Sequence, residues 1–428
     1  MNTYRNKGLK LLFAAAIWLL ATSNITAHGI QNMAADTTKT IVNDTIEADT
    51  VNVDTVCETN TSTWPKNIQT RIDKLLDNDI FETSTVGLMV YDLTADSVLY
   101  SHNARQLMRP ASTLKMMVAV AALDRLGCDY RYRTTMSTTA GQSENVLRGD
   151  IYFHGGFDPM IDNGDLDRFV DSLRALGVDT LRGNIISDLS MKDDDLLGEG
   201  WCWDDDNPVL SPLLVNRKNE FAERFTERLR RAGIVFDGEL RTGHTPRVAR
   251  TLCTIERPIG DVMERMLKES DNLYSESMFY QLAASTGGTA TARQGRAIIN
   301  RLIDRLGLKP SRYYIADGSG LSLYNYVSPE LEVAFLRHAY RSDCVLTMLM
   351  KHLPVAGEDG TLDKRMRRGR ARGNVHAKTG TVTGVSSLAG YCTSANGHRL
   401  CFSIINMGIR HASSGRNFQD RVCEALCR

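Results

Sequence analysis

The sequence predicts an α/β (α+β) protein: one sheet domain flanked by helices, carrying a smaller inserted α+β module. Three observations point there. Strand-like stretches occur near both ends of the chain, at 86–93 and 98–102 and again across 374–405, with helical patterns between and after them. The two ends must therefore meet in one sheet covered by helices. Residues 114–126 are apolar on almost every side, which suits a helix buried on all faces. Between Arg131 and Arg257 the pattern changes to short strands and turns, at 150–154, 184–188 and 233–239, around a helix at 166–176.

In chain order, Arg5, Lys7 and Lys10 precede an apolar run at 11–21, too short to anchor in a bilayer. Residues 1–27 read as a signal peptide cleaved after Ala27. The mature protein is then expected in the periplasm or cell envelope, with no stable membrane span. Residues 28–63 are rich in Thr, Asp, Asn and Val, with acidic residues well in excess of Lys39, and read as a disordered tether. The catalytic domain is expected in two pieces, 64–130 and 258–428, with the inserted domain at 131–257. Ile68, Ile72, Leu75 and Leu76 recur at helical spacing within 64–77. Thr94-Ala95-Asp96 turns the first two strands about each other. Pro110 suits the entry, and Gly127 the exit, of the apolar helix.

Further along, 261–284 is helical but interrupted near Ser270. Residues 289–306 form an amphipathic helix, and Asp317-Gly318-Ser319-Gly320 a tight turn. Ser328 caps a helix that opens with Pro329. Three strands fill 374–405, and a helix at 417–426 closes the chain.

The 428 residues are 42% hydrophobic and 24% charged, with zero net charge, which fits a soluble globular chain of two or more domains and argues against generic nucleic-acid binding. No phosphate loop, H-E-x-x-H or paired C-x-x-C is present, so no metal or cofactor is expected. The nine cysteines are an odd number, so at least one thiol is unpaired or pairs between chains. Asn396-Gly397 reads as a two-residue hairpin turn. Counting back from it sets Cys392 opposite Cys401, close enough for a disulfide, with two reduced buried thiols as the alternative.

The chemistry centres on Ser112-Thr113-Leu114-Lys115. Residues i and i+3 share a helix face, so Ser112 Oγ and Lys115 Nζ can meet. A serine hydroxyl needs a base beside it, and a lysine in apolar surroundings loses its charge more easily and can accept a proton. Alone, S-x-x-K is weak evidence, because Ser112 could be a helix cap and Lys115 a surface lysine. Ser270-Asp271-Asn272 and Lys378-Thr379-Gly380 follow it in order, and the three together form a signature of active-serine enzymes. Ser270 can bond Lys115 and pass its proton to a leaving amine. Asn272 can hold Lys115 or a substrate amide. Lys378 adds a second cation, lowering the pKa of Lys115 and attracting an anionic substrate. Thr379 and Thr381 offer hydroxyls to a carboxylate, and Gly380 lets another backbone lie against its strand.

With these residues, the chain resembles the D-alanyl-D-alanine carboxypeptidase/endopeptidase family, the class C low-molecular-weight penicillin-binding proteins. Gly149–Pro159, Ser270–Glu276, Asp317–Ser322 and the segment 353–362 resemble further signatures of that family. The resemblance implies a penicillin-binding-protein/serine β-lactamase-like sheet domain with an insertion after the S-x-x-K helix. It implies acylation of Ser112 by the penultimate D-Ala of a peptidoglycan muropeptide, release of terminal D-Ala, and hydrolysis by water. Cleavage of D-Ala–diaminopimelate cross-links and trapping by β-lactam antibiotics are implied too. The oxyanion hole would be the N–H groups of Ser112 and Thr381. Asp158 would lie near the diaminopimelate side chain, or else be a turn aspartate before Pro159. Fuller family members carry two added domains; the insertion here is shorter, and one of them is expected to be absent.

Lys364, Arg365, Arg367, Arg368, Arg370 and Arg372 form a basic loop, either solvated or a dock for stem-peptide carboxylates. A serine β-lactamase is a rival reading, but the Glu-x-x-Leu-Asn that activates water in class A enzymes is missing. A non-catalytic cell-wall sensor is another.

Overall fold

The computed structural model describes residues 63–202 and 207–428. The expected signal peptide (1–27), and the expected tether (28–63) apart from its last residue, lie outside the described residues. The main sheet is antiparallel, in the spatial order His376–Val382, Val385–Thr393, Arg399–Met407, Thr85–Asp92, Ser97–His102. Thr85 pairs with Met407 and Asp92 with Leu400, so the two ends of the chain meet at the centre of the sheet. Valine, isoleucine and leucine on both faces of the three inner strands bury them on both sides.

One face carries the larger core. There the helices Leu114–Leu126, Ile259–Lys268, Asn272–Ala284, Ala292–Arg305, Pro329–Tyr340 and Asp343–His352 pack together and against the sheet. Leu114–Leu126 is the buried helix expected, with ten of its residues buried. The other face is covered by Lys66–Leu76 and the C-terminal helix Ala412–Cys427. That last helix begins five residues before the expected 417. Its first turn, Ala412-Ser413-Ser414-Gly415, has no apolar spacing to announce it, and Gly415 is there because its backbone lies close to Ile409 and Ser386.

Residues 131–258 form two further sheets. One is five-stranded (Leu240–Thr242, Ile185–Asp188, Ile151–His154, Arg131–Thr138, Arg250–Pro258) and the other four-stranded (Gly141–Ser143, Val146–Arg148, Thr180–Arg182, Val235–Asp237). With the helices Asn163–Ala175 and Phe221–Arg231 they enclose a core of their own around Phe153, Phe169 and Phe225. The acidic loop of this segment reaches back: Trp201 Nε1 donates to Asp317 at 2.8 Å, and Glu199 pairs with Arg296.

The expected Cys392–Cys401 bridge is not formed. Gly397 N–H donates to Ser394 O and Ser394 N–H to His398 O, both at 2.9 Å, with Gly397 at φ 87°. Three residues, not two, therefore make the turn, a type I turn closed by a left-handed glycine. The register slips by one: Tyr391 faces Cys401 and Cys392 faces Leu400. Because side chains alternate along a strand, the slip places the two cysteines on opposite faces of the sheet, Cys401 in the larger core and Cys392 under the C-terminal helix. The disulfide instead joins Cys128 to Cys344, tying the end of the Ser112 helix to the helix Asp343–His352.

Candidate active site

Ser112 sits in a short 3₁₀ turn, Ala111–Thr113, that runs directly into Leu114–Leu126. Ala111 takes a left-handed backbone, φ 50°, unusual for a residue with a side chain. Two glycines close on this turn. A Cβ on Gly320 would collide with Ala111 O, and one on Gly380 would lie 2.9 Å from Ser112 N and 2.8 Å from Pro110 O. With Ser387 Oγ closer still to that Cβ, the neighbouring strand and the Ser112 turn both require Gly380. Beneath the turn, Thr113 Oγ1 donates to Glu332 at 2.5 Å and Ser403 Oγ to the same carboxylate at 2.6 Å. Burial pushes the Glu332 carboxyl up to about 7.

Lys115 is fully buried and reaches three oxygens: Ser112 Oγ at 2.9 Å, Asn272 Oδ1 at 2.8 Å and Ser319 O at 2.7 Å. The last two can only accept. A neutral amine would give its two N–H groups to them and turn its lone pair to the Ser112 hydroxyl. Burial lowers the Lys115 pKa to about 8, against the opposing pull of Asp317, Glu276 and Asp271. Burial, and the charge of Lys115 after it, hold the Lys378 amine well below the usual lysine range; the repulsion between the two cations is mutual. Water exclusion around Nζ is the largest cause of the lowering at Lys115.

Ser319 O was not foreseen as a partner of Lys115. The helix Asn272–Ala284 holds its turn in place: Ser275 Oγ donates to Gly318 O at 2.7 Å, and Gly318 N–H donates to both oxygens of Glu276 at 3.0 Å. Asp317 accepts from Gly320 N–H and Asn325 Nδ2. Burial, and the Asp317 charge after it, push the Glu276 carboxyl up to about 8.

The interruption expected near Ser270 is present between Ile259–Lys268 and Asn272–Ala284, with Ser270 at φ 63° and Asp271 as N-cap, accepting from Leu273 N–H at 3.1 Å. Arg265 and Arg217 both pair with Asp271 and fix the loop. Asn272 thereby reaches Lys115. Ser270, half-buried, makes no hydrogen bond to Lys115 among the described residues.

Lys378 is buried on the edge strand His376–Val382 and donates to Thr379 O at 2.9 Å. Thr379 Oγ1 bonds Thr361 at 2.7 Å, while Thr381 stands exposed. Ala377 N–H points away from the sheet to Pro354 O. By the strand's alternation, the main-chain groups of Thr379 and Thr381 face that same outer edge. Asp158 is buried in the inserted segment. It accepts from Met160 N–H at 2.9 Å and Arg257 Nε at 3.2 Å. Among the described residues no cluster of His, Cys, Asp and Glu could hold a metal ion.

A serine in hydrogen-bond contact with a buried lysine, beside an edge strand and between a helical layer and a sheet, is the arrangement of a serine hydrolase of the penicillin-binding class. The chain belongs to the D-Ala-D-Ala carboxypeptidase 3 (S13) family, whose profile matches residues 68–214 and 210–427. It is 27% identical to a D-alanyl-D-alanine carboxypeptidase of Actinomadura sp., over 79% of this chain and 80% of that one. It is 24% identical to the D-alanyl-D-alanine carboxypeptidase DacB of Haemophilus influenzae, over 75% and 85%. The solved structure of penicillin binding protein 4 (dacB) from Haemophilus influenzae superposes with a TM-score of 0.75 at 22% identity, covering 83% of this chain and 98% of that one. The fold is also that of a predatory peptidoglycan endopeptidase from Bdellovibrio bacteriovorus, with a TM-score of 0.52 at 17% identity, over 76% and 86%.

Proposed function

We propose that this protein is a serine carboxypeptidase that removes the terminal D-Ala from peptidoglycan stem peptides through an acyl-enzyme on Ser112. The observation that carries this reading is the three-oxygen cradle of Lys115, whose third partner is the Ser112 hydroxyl. Lys115 takes the hydroxyl proton as Ser112 attacks the carbonyl of the penultimate D-Ala. The N–H groups of Ser112 and Thr381 stabilise the tetrahedral oxyanion; loss of one such donor typically costs about 10²–10³ in rate. Lys115, with Ser270 as relay, returns the proton to the leaving amine. Ser270 must turn toward Lys115 once substrate is bound. Lys378, Thr379 and Thr381 receive the terminal carboxylate, and Asn272 keeps Lys115 in place. Water then frees the shortened stem. A β-lactam enters the same route, and its ring-opened acyl group stays on Ser112.

A second reading, cleavage of the D-Ala–diaminopimelate cross-link, is supported by the outer edge of this terminal strand of the sheet from Thr379 onward, past the Pro354 and Val355 contacts at Ala377 and His376, which leaves room for a longer chain beyond the scissile bond. An exported location in the cell envelope fits both readings, and no helix among the described residues is long and apolar enough to cross a membrane. Incubation with a fluorescent penicillin tests the mechanism. The wild type is expected to carry a stable label and to release D-Ala from a soluble pentapeptide, and Ser112→Ala to do neither. Label on Ser112→Ala, or rapid turnover of the penicillin, would overturn it.

A further inference from the structure

The basic loop at 364–372 divides into two kinds of cation. Arg365 is structural: Nη2 and Nε reach Asp420 Oδ1 at 2.7 and 3.0 Å, and Nη2 reaches Gln419 at 3.0 Å. It fastens the loop to the C-terminal helix. Glu424 is likewise occupied, accepting from the N–H groups of Arg370 and Ala371 at 3.2 and 3.1 Å. The side chains of Arg367, Arg368, Arg370 and Arg372 stand exposed, with no carboxylate partner among the described residues.

Arg368 opens onto a groove of about 460 Å³. Arg421 and Arg428 of the C-terminal helix line it, as does Arg71 of the helix Lys66–Leu76. Segments some 300 positions apart in sequence thus bring their cations to one concave surface of a chain with zero net charge. Of the oxygens at the groove, the Asp420 and Glu424 carboxylates are held by Arg365 and the loop backbone, and Arg428 O accepts from Arg71 Nη1 at 3.4 Å. Four arginines against two acidic residues line the groove, and this local excess of positive charge can meet an external anion.

We propose that this groove is an exosite for the peptidoglycan polymer, holding stem-peptide carboxylates at a distance from the bond being cleaved. The proposal rests on the peptidoglycan substrate assigned above. The loop that forms it leaves the active site directly, since Thr361, seven residues before Arg368, bonds Thr379 beside Lys378. Multivalent anions gain most from such a groove, because each further contact forms at high effective concentration.

The test compares wild type with the triple variant Arg71→Gln, Arg368→Gln, Arg421→Gln. A control triple, Arg230→Gln, Arg231→Gln, Arg293→Gln, removes equal charge from residues that do not line the groove. Purified sacculi and a soluble pentapeptide are the two substrates, and co-sedimentation with sacculi at low and high salt is read alongside. The groove triple is expected to raise KM on sacculi about fivefold or more and to lose most of the salt dependence of binding. Its hydrolysis of the soluble peptide, and its labelling by fluorescent penicillin, should stay within about twofold of wild type, which also shows that it folds. Unchanged KM and co-sedimentation for the groove triple, or an equal loss in the control triple, would overturn the exosite. Equally tight binding to vesicles of anionic phospholipid would overturn peptidoglycan as its partner. If wild type fails to cleave the soluble peptide, the assigned activity falls, while co-sedimentation still reads the groove independently.

Discussion

At the scale of single residues, the site is a problem of how to keep one amine uncharged. Lys115 has no carboxylate in its first ring of contacts; it has two neutral oxygens and a hydroxyl. Replacing it by Met keeps the length and the apolar stem but removes the base, and acylation by penicillin should fall by about 10³ or more. Arg, which cannot give up its proton, should fail equally. Stopped-flow acylation checks both. Much of this pair was legible in the sequence, because S-x-x-K spacing is a local property of a helix. Ser319 was not, because it contributes a main-chain carbonyl, for which residue identity carries little information; only the tight turn Asp317–Gly320 hinted at it. Glu332 was also invisible, 219 positions from Thr113. Its raised pKa makes a second prediction. Between about 4.5 and 7 the unfolded chain ionises this group while the folded protein keeps it protonated, so its contribution to stability falls as pH rises through that window. Chemical denaturation of Glu332→Gln should show a smaller loss of stability from pH 5 to pH 7.5 than wild type, by at most ~3 kcal/mol.

At the scale of elements, the edge strand and the Ser112 turn are fitted to one another. Gly380→Ala would press a methyl group against Ser112 N and Pro110 O. Acylation should drop by about 10² while the melting temperature shifts little, since displacing an oxyanion donor costs more in rate than the edge strand loses in stability. The hairpin Val385–Met407 shows where pattern reading stops. Asn396-Gly397 was a sound turn signal, but one residue of loop length decides register, and register decides faces. Maleimide labelling of the denatured, unreduced protein should modify Cys392 and Cys401 and spare Cys128 and Cys344. The Cys128–Cys344 pairing joins residues 216 apart and leaves no trace in local spacing.

At the scale of the whole molecule, the sheet is closed by strands from both ends, and everything between them is hung on its faces. The strand-like runs at 86–93 and across 374–405 made that closure legible, as the all-apolar run 114–126 made the buried helix legible. The contacts of the inserted segment with the rest were not, because they pass through single side chains such as Trp201 on Asp317 and Glu199 on Arg296. Those contacts reach the turn that cradles Lys115, so the fold as a whole sets the dryness of that amine. The most direct measurement of this account is the second-order rate of Ser112 acylation by a fluorescent penicillin as a function of pH. The rate should climb about tenfold per pH unit below the Lys115 pKa, level off near pH 8, and be absent throughout in Lys115→Met. A rate that is flat from pH 6 to 9, or one that levels off near 6.5 as for a histidine base, would contradict it.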